Sequence, residues 1–171
     1  MSWVDEPITV EEYSSPWLRQ FEKEAARLGE GLDDSVLAIE HIGSTAVVGV
    51  ASKPVVDLMI GVSELDTTEA LADRLTALGY EDCGGAVGRR YFRKRGGGPN
   101  FNVQVVKYAS RKWSANLRFR DYLRSNDDAA RKYSEAKRAA ATRAPTLLAY
   151  SLLKRPIIEE LLRRARANSR Q

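Results

Sequence analysis

The run from Val55 to Val62 (VVDLMIGV) is the feature that most restricts the fold, because it is apolar apart from one aspartate and one glycine. A run of this length is typical of a β-strand and falls far short of the roughly 20 residues that cross a bilayer. Asp57 interrupts the run, and a buried carboxylate is costly unless it is paired or binds a metal ion. The sequence therefore predicts an apolar strand whose single charge has a partner.

The counts of cysteine and histidine exclude several classes of protein. The chain of 171 residues is 43% hydrophobic, which suffices for the core of one globular domain, and it contains one cysteine, Cys83, and one histidine, His41. One residue of each kind excludes an intramolecular disulfide, a Cys-built zinc site and a His-triad metal centre. The N-terminal sequence has no basic region followed by an apolar one, so we expect a cytoplasmic protein without a membrane span.

The two halves of the chain carry opposite charge. Residues 1–106 contain 10 Lys and Arg against 17 Asp and Glu, whereas residues 107–171 contain 17 against 6. A basic half predicts a phosphate-rich partner, either a nucleotide in the cleft between the halves or a nucleic acid. Helix faces that are merely solvated explain the same charges equally well.

The order of the predicted elements indicates an α+β protein with about four to five strands and a helical tail. Hydrophobic periodicity and turn residues predict a helix from Pro16, strands over 36–42 and 55–62, a helix over 71–79, and a hairpin of strands 89–95 and 101–106. Everything after Trp113 reads as helix, with the last helix bent or broken at Pro156. We expect residues 1–108 to form an α/β core and residues 109–171 a C-terminal helical segment, packed together as one compact domain.

A turn of small residues lies between the first two strands and is a candidate phosphate site. Gly43, Ser44 and Thr45 can direct backbone N–H groups and hydroxyls at a phosphate, although an ordinary tight turn has the same residues. Asp57 on the next strand can hold the Mg²⁺ that bridges phosphates, with Glu40 as a second ligand.

Other polar residues are candidates for the same site. His41 is a candidate general base or phosphate donor, with a satisfied strand histidine as the alternative. Strand alternation places Gln104 on one face with Asn102, where it could line a polar floor beside Asp57 if the two strands are neighbours.

Cations near the hairpin and in the tail complete the candidate set. Lys53 precedes the second strand, and Arg90 and Arg93 lie in a cluster that suits an anion clamp or, alternatively, a charged sheet edge. Tyr150 and Lys154 are four residues apart and therefore share one helix face.

Motifs along nearly the whole chain resemble the GrpB family. They are IEHIGST, KPVVDLMIGV, GRRYFRK, FNVQVV, WxxNLRFRDYLR, YxxAK and YxxxK, in that order. The family is similar to the nucleotidyltransferase superfamily of polymerase beta type, so the resemblance implies a mixed sheet with helices packed on it. It also implies that Gly43 and Ser44 form a phosphate-binding turn and that Asp57 is the first metal carboxylate. In folds of this type the C-terminal helices close over the triphosphate, which makes Lys154 a candidate phosphate ligand, with a surface lysine as the alternative.

The chain departs from the pattern of active nucleotidyltransferases at the carboxylates. The second carboxylate, two residues after the first, is replaced by Met59, and the third position corresponds to Gln104 or Asn102. Two-metal transfer needs several anionic ligands, so either Glu40 supplies one, one metal suffices, or the chemistry is lost.

Three functions follow from these observations. The first is binding of a nucleoside triphosphate with Mg²⁺ or Mn²⁺ and activation or modification of a small-molecule acceptor, by a monomer or homodimer. The alternative is a catalytically degenerate module that binds a phosphate-containing ligand or a partner protein. Nucleic-acid binding through the basic half is a weaker third, because few aromatic residues are available for stacking.

Overall fold

The computed structural model describes residues 6, 8–65 and 68–168. The elements within these residues are α1 (Pro16–Gly31), β1 (Val36–Ile42), a 3₁₀ turn (Ser44–Ala46), β2 (Val55–Val62), α2 (Thr68–Ala77), β3 (Glu81–Ala86), β4 (Arg89–Lys94), β5 (Asn100–Lys107), α3 (Arg111–Arg124), α4 (Asp127–Arg143) and α5 (Leu147–Asn168). The predicted α+β class is confirmed. None of the helices in the described ranges combines the length and the apolarity that a membrane crossing requires.

The five strands form one mixed sheet in the order β1-β2-β5-β4-β3. β2 and β5 run parallel, and the other neighbouring pairs run antiparallel. The register places Asp57 between Ile42 on β1 and Asn102 on β5. Because paired residues project from the same face of a sheet, the side chains of Asp57 and Asn102 lie next to each other.

Helices cover the two faces of the sheet separately. On one face, α1 and α2 pack on an apolar core that includes Leu58, Ile60 and Val103 of the central strands. On the other face, Met59 of β2 packs with Trp113 of α3. Gly61 makes room for that tryptophan, since a Cβ at this position would lie 2.7 Å from its ring.

The loop that follows the 3₁₀ turn is held by the C-terminal helices. Val47 and Val50 form an apolar cluster with residues of α3, α4 and α5, among them Leu123 and Leu161. The amide of Ala51 also donates to the side chain of Ser134 on α4. These contacts bring the basic helical segment directly over the candidate phosphate turn.

Two elements differ from the sequence-based expectation. β3 was not predicted, because it is a polar and largely exposed edge strand, and its pairing with β4 is irregular between Asp82 and Gly85. Of the bend or break predicted at Pro156, the break does not occur, because α5 continues through that residue. Pro156 is exposed, so water can satisfy the carbonyl group that loses its helical hydrogen bond.

Candidate anion-binding site

The turn at residues 43–46, called here the Gly-Ser turn, packs directly against the carboxylate of Asp57. Gly43 has φ +72°, and a Cβ at this position would lie 2.5 Å from Oδ2 of Asp57. Only glycine satisfies both the backbone conformation and the close approach. The turn is also held from α3, where Arg124 donates to the carbonyl of Ala46 and Arg120 to that of His41.

Among the described residues, Asp57 receives one side-chain hydrogen bond, and its donor is neutral. Nδ2 of Asn102 donates to Oδ1 of Asp57 at 2.9 Å, and Oδ1 of Asn102 accepts in turn from Arg95 at 2.8 Å. Burial raises the pKa of Asp57 above its ordinary value, and the hydrogen bond from Asn102 and nearby lysine charges offset only part of that rise. Within the described residues, no lysine or arginine nitrogen forms an ion pair with this carboxylate inside 4.0 Å.

Three lysines from three different elements lie within electrostatic reach of Asp57, and we call them the three-lysine cluster: Lys53, Lys137 and Lys154. Lys137 on α4 is 2% exposed, and its Nζ donates to Oγ of Ser44. Lys53 lies in the loop before β2, with Nζ 4.0 Å from Oε2 of Glu6. Three lysine charges thus act on Asp57 when all are protonated, and Lys53 also lies near the carboxylate of Glu6.

Burial also lowers the pKa of the lysines. Desolvation, together with the charge of Lys154, lowers the pKa of Lys137 to about 7, and desolvation lowers that of Lys154 to about 8. The pKa of Lys53 is lowered by desolvation as well, and the attraction of Glu6 and Asp57 opposes that effect. An anion entering the site would restore their charges, because an opposite charge favours the protonated form of an amine.

Two tyrosines support these lysines from one helical turn away. Nζ of Lys154 lies 4.0 Å from the ring centroid of Tyr150, and Nζ of Lys137 lies 5.4 Å from that of Tyr133. Tyr150 is 1% exposed, and its hydroxyl has no hydrogen-bond partner in the described part of the chain. Burial and the charge of Asp57 raise the pKa of Tyr150 to about 12, so the hydroxyl remains a hydrogen-bond donor at neutral pH.

The donor set does not fit a divalent metal ion. No group of three or more His, Cys, Asp and Glu side chains that could hold a metal occurs among residues 6, 8–65 and 68–168. Glu40, the predicted second ligand, has its carboxylate bound to Arg120 at 2.7 Å. The charges of Lys53, Lys137 and Lys154 act on Asp57, and they repel a cation bound beside it. Hard divalent ions require several oxygen ligands, so the expected Mg²⁺ or Mn²⁺ site is not formed by these residues.

His41 and the Thr45 hydroxyl lie away from the three-lysine cluster. His41 is paired with Leu58 and therefore projects from the face opposite Asp57, where it is 3% exposed and stacks on Phe21. Its Nε2 lies 3.0 Å from Oγ1 of Thr45. Burial, with the charges of Arg124 and Arg120, lowers the pKa of His41 to about 4, so the ring is neutral at pH 7.

The two hairpin arginines project from opposite faces of the sheet, and both are engaged in ion pairs. Arg90 projects from the α1 and α2 face and forms ion pairs with Glu69 and Asp82. Arg93 is paired with Asn102 and therefore projects from the same face as Asp57, where it forms ion pairs with Glu81 at 2.8 Å and with Glu6 at 3.6 Å.

Gln104 is on the same face as Asp57 but is paired with Met59, one position further along the sheet. The residue beside Asp57 is Asn102 instead. The expected position of a second carboxylate, Met59, is fully buried in the cluster around Trp113 and does not face the lysines.

Lys137 is the site residue that the sequence analysis did not identify. The sequence does contain a pattern that points to it. Tyr133 and Lys137 on α4 are four residues apart, as are Tyr150 and Lys154 on α5. Residues four apart on a helix lie on one face. The repeat is therefore a pattern by which both lysines could have been found.

Comparisons with known proteins place the chain in a family. The family model described as GrpB protein matches residues 7–164. The UPF0157 protein PA4798 of Pseudomonas aeruginosa is 34% identical over 97% of this chain and 71% of its own length. The UPF0157 protein YqkA of Bacillus subtilis is 33% identical over 78% of this chain, and the matched region spans 39% of YqkA.

Solved structures extend the similarity to the fold. The GrpB protein of Enterococcus faecalis matches with a TM-score of 0.80 and 33% identity, over 91% of this chain and 98% of that one. Terminal uridylyl transferase 4 of Trypanosoma brucei with bound CTP matches at 0.52 and 16% identity, over 90% of this chain and 52% of that one. The Cid1 poly(U) polymerase bound to MgATP matches with a TM-score of 0.50 and 14% identity, over 84% of this chain and 50% of that one. These two matches concern the fold alone.

Proposed function

Because the chain belongs to the GrpB family and has a nucleotidyltransferase-like fold, we propose that it binds the phosphate chain of a nucleoside triphosphate at the Gly-Ser turn. The observation that carries the proposal is that Lys137 contacts Ser44, while the charges of Lys53, Lys137 and Lys154 act on Asp57 beside the turn. A site with more ammonium groups than carboxylates attracts a polyanion. Nucleotides bound to two fold relatives support this choice of ligand.

Each part of the site has a distinct role in this proposal. The Ser44 hydroxyl and the backbone of the Gly-Ser turn hydrogen-bond one phosphate group. Lys137 and Lys154 neutralise the phosphates from the helical side, and Lys53 does so from the loop before β2. The unpaired Tyr150 hydroxyl donates to the ligand.

Binding of a phosphate-containing ligand is favoured over transfer of a nucleotidyl group. Two-metal transfer needs several carboxylates, and this face of the sheet offers Asp57 while Glu40 is committed to Arg120. Modification of a small-molecule acceptor is the second candidate. The observation in its favour is that Asp57 keeps its carboxylate next to the Gly-Ser turn, where burial opposes its charge.

Calorimetric titration with ATP, GTP, CTP and UTP in magnesium-containing buffer tests the proposal. We expect at least one triphosphate to bind, and Lys154→Ala to weaken it by about 1.5 to 3 kcal/mol, the range for hydrogen bonds to charged groups. Adenosine, which lacks phosphates, is the ligand control. Arg163→Ala is the matched protein control, because Arg163 is an exposed cation on the same helix.

The opposite pattern would contradict the proposed site. If Arg163→Ala weakened binding and Lys154→Ala did not, the ligand would lie on the helical surface. Salt-sensitive binding of RNA in that experiment would then favour the nucleic-acid function.

A further inference from the structure

We propose that this site binds the polyphosphate of its ligand without a divalent cation, with the three-lysine cluster occupying the role that a metal ion has in related folds. The inference rests on the proposed function and specifies how the negative charge of the ligand is neutralised. It concerns Lys53, Lys137 and Lys154 together with the carboxylate that they surround.

The surroundings of Asp57 leave little room for a metal ion. Oδ1 of Asp57 accepts a hydrogen bond from Asn102, and Oδ2 lies against Gly43, where even a Cβ would be too close. A metal ion bound here would need further oxygen ligands, and the nearest predicted one, Glu40, is paired with Arg120. Asp57 therefore acts as the counter-charge that keeps the lysines together in the unliganded protein.

The three-lysine cluster has more positive than negative charge. When all are protonated, the three lysines carry two more charges than Asp57, and the carboxylate of Glu6 near Lys53 is itself paired with Arg93 and Arg95. A magnesium ion bound to a triphosphate cancels part of the negative charge that the lysines attract, and it brings a cation close to them. The free triphosphate is consequently the better electrostatic match.

Lys137 lies at the Gly-Ser turn itself. Its ammonium group is buried and already contacts the hydroxyl of Ser44 in the phosphate turn. A phosphate held by Ser44 is thus in direct reach of a lysine. In this geometry a side chain supplies the positive charge at the turn.

Calorimetry with ATP and with inorganic tripolyphosphate, in EDTA and in magnesium buffer of equal ionic strength, tests the inference. We expect both ligands to bind in EDTA at least as tightly as in magnesium. Binding of ATP only in magnesium would overturn this inference and leave the proposed function intact. Failure of every nucleotide in both buffers would overturn the proposed function, and the inference with it.

Asp57→Asn separates the two roles of the carboxylate. The asparagine keeps the acceptor for Asn102 but removes a negative charge, so we expect ATP to bind roughly five-fold more tightly in EDTA. If Asp57 were a metal ligand, Asp57→Asn would instead bind ATP more weakly than the parent in magnesium buffer. Binding of Mn²⁺ alone to the parent protein, lost in Asp57→Asn, would also overturn the inference.

A second variant keeps the test decisive if Asp57→Asn does not fold. Lys154→Met preserves the length of a half-buried side chain, and we expect it to weaken tripolyphosphate binding about ten- to hundred-fold in both buffers. Lys132→Met is the control, because Lys132 is exposed on α4 and pairs with Asp128. Equal binding by Lys154→Met and the parent in EDTA would contradict the inference.

Discussion

Two carboxylates on opposite faces of the sheet have opposite surroundings. Glu24 of α1 accepts hydrogen bonds from Arg27, from the hydroxyl of Tyr80 at 2.8 Å and from Lys94 at 3.4 Å. Burial raises the pKa of Glu24, but these hydrogen bonds and charges lower it by more, so that it lies below its ordinary value. Asp57 has one hydrogen bond from an amide, and its pKa lies above the ordinary value.

The difference shows on which face of the sheet a buried carboxylate is neutralised by cationic groups of the protein. On the α1 and α2 face, the buried carboxylate is paired by groups of the protein, which is typical of a structural ion pair. On the face covered by α3, α4 and α5, the charges are gathered with an excess of lysine. A site of that kind is completed by a ligand, so mutations on the two faces are expected to affect different properties.

The largest expected effect is on stability, and it comes from adding a carboxylate on the face covered by α3, α4 and α5, at a position outside the three-lysine cluster. Met59→Asp places a charge among Ile42, Val106 and Trp113, and we expect the free energy of unfolding to fall by about 3 to 5 kcal/mol. Met59→Leu, which keeps the volume, should cost less than about 1.5 kcal/mol. Urea denaturation measures both variants. A stable Met59→Asp protein that binds Mn²⁺ would contradict the assignment of residue 59 to the apolar cluster.

The second effect concerns the pH dependence of stability without ligand. Lys137 and Lys154 have pKa values of about 7 and about 8 in the folded protein, against 10.5 for an unperturbed lysine. Between the folded-state pKa of each lysine and 10.5, the unfolded chain binds more protons, so the free energy of unfolding rises with pH, by about 3 kcal/mol for each lysine from pH 7 to pH 10. The charges that act on the pKa of Lys137, besides desolvation, are those of Lys154, Asp57, Lys53 and Arg138.

Lys137→Met isolates the contribution of the buried lysine to that slope. The variant should show a flatter rise in stability with pH, measured by urea denaturation at several pH values, and should bind ATP more weakly. Lys132→Met, on the exposed side of α4, should retain the slope of the parent. An unchanged slope in Lys137→Met would mean that the ammonium group of Lys137 is solvated in the folded protein.

The third effect concerns the paired carboxylate on the opposite face. Glu24→Gln leaves Arg27 and Lys94 without their counter-charge, and we expect a loss of about 2 kcal/mol, because both cations are partly solvated. The affinity for ATP should not change. Glu22→Gln, an exposed position on the same helix, should lie within about 0.5 kcal/mol of the parent. A reduced ATP affinity in Glu24→Gln would mean that the two faces are coupled.

The smallest effect is expected at the hairpin. Arg90→Ala removes ion pairs to Glu69 and Asp82 at the protein surface, which contribute less than about 1 kcal/mol. ATP affinity measured by calorimetry should be the same as in the parent. A ten-fold loss would return Arg90 to the ligand site, where the sequence pattern first suggested it.

Most of the fold was readable from local sequence patterns. The strands over 36–42 and 55–62 have the predicted bounds, and the α+β class and the membership of the GrpB family are confirmed. β3 escaped prediction because an exposed edge strand with glycines has no apolar alternation. The continuity of α5 through Pro156 depends on the exposure of that residue, which periodicity does not report.

The residues of the candidate site were likewise predictable only in part from local sequence. Sequence alone determined that a Gly-Ser turn precedes a strand with one carboxylate, because alternation and turn chemistry act over a few residues. It could not determine that Lys137 contacts Ser44, 93 positions earlier in the chain, or that His41 projects away from Asp57 into the α1 core. Those outcomes depend on how helices and strands pack, which is set by the burial of the whole core. Tertiary structure therefore decided which charges meet, and with them that the site has an excess of positive charge.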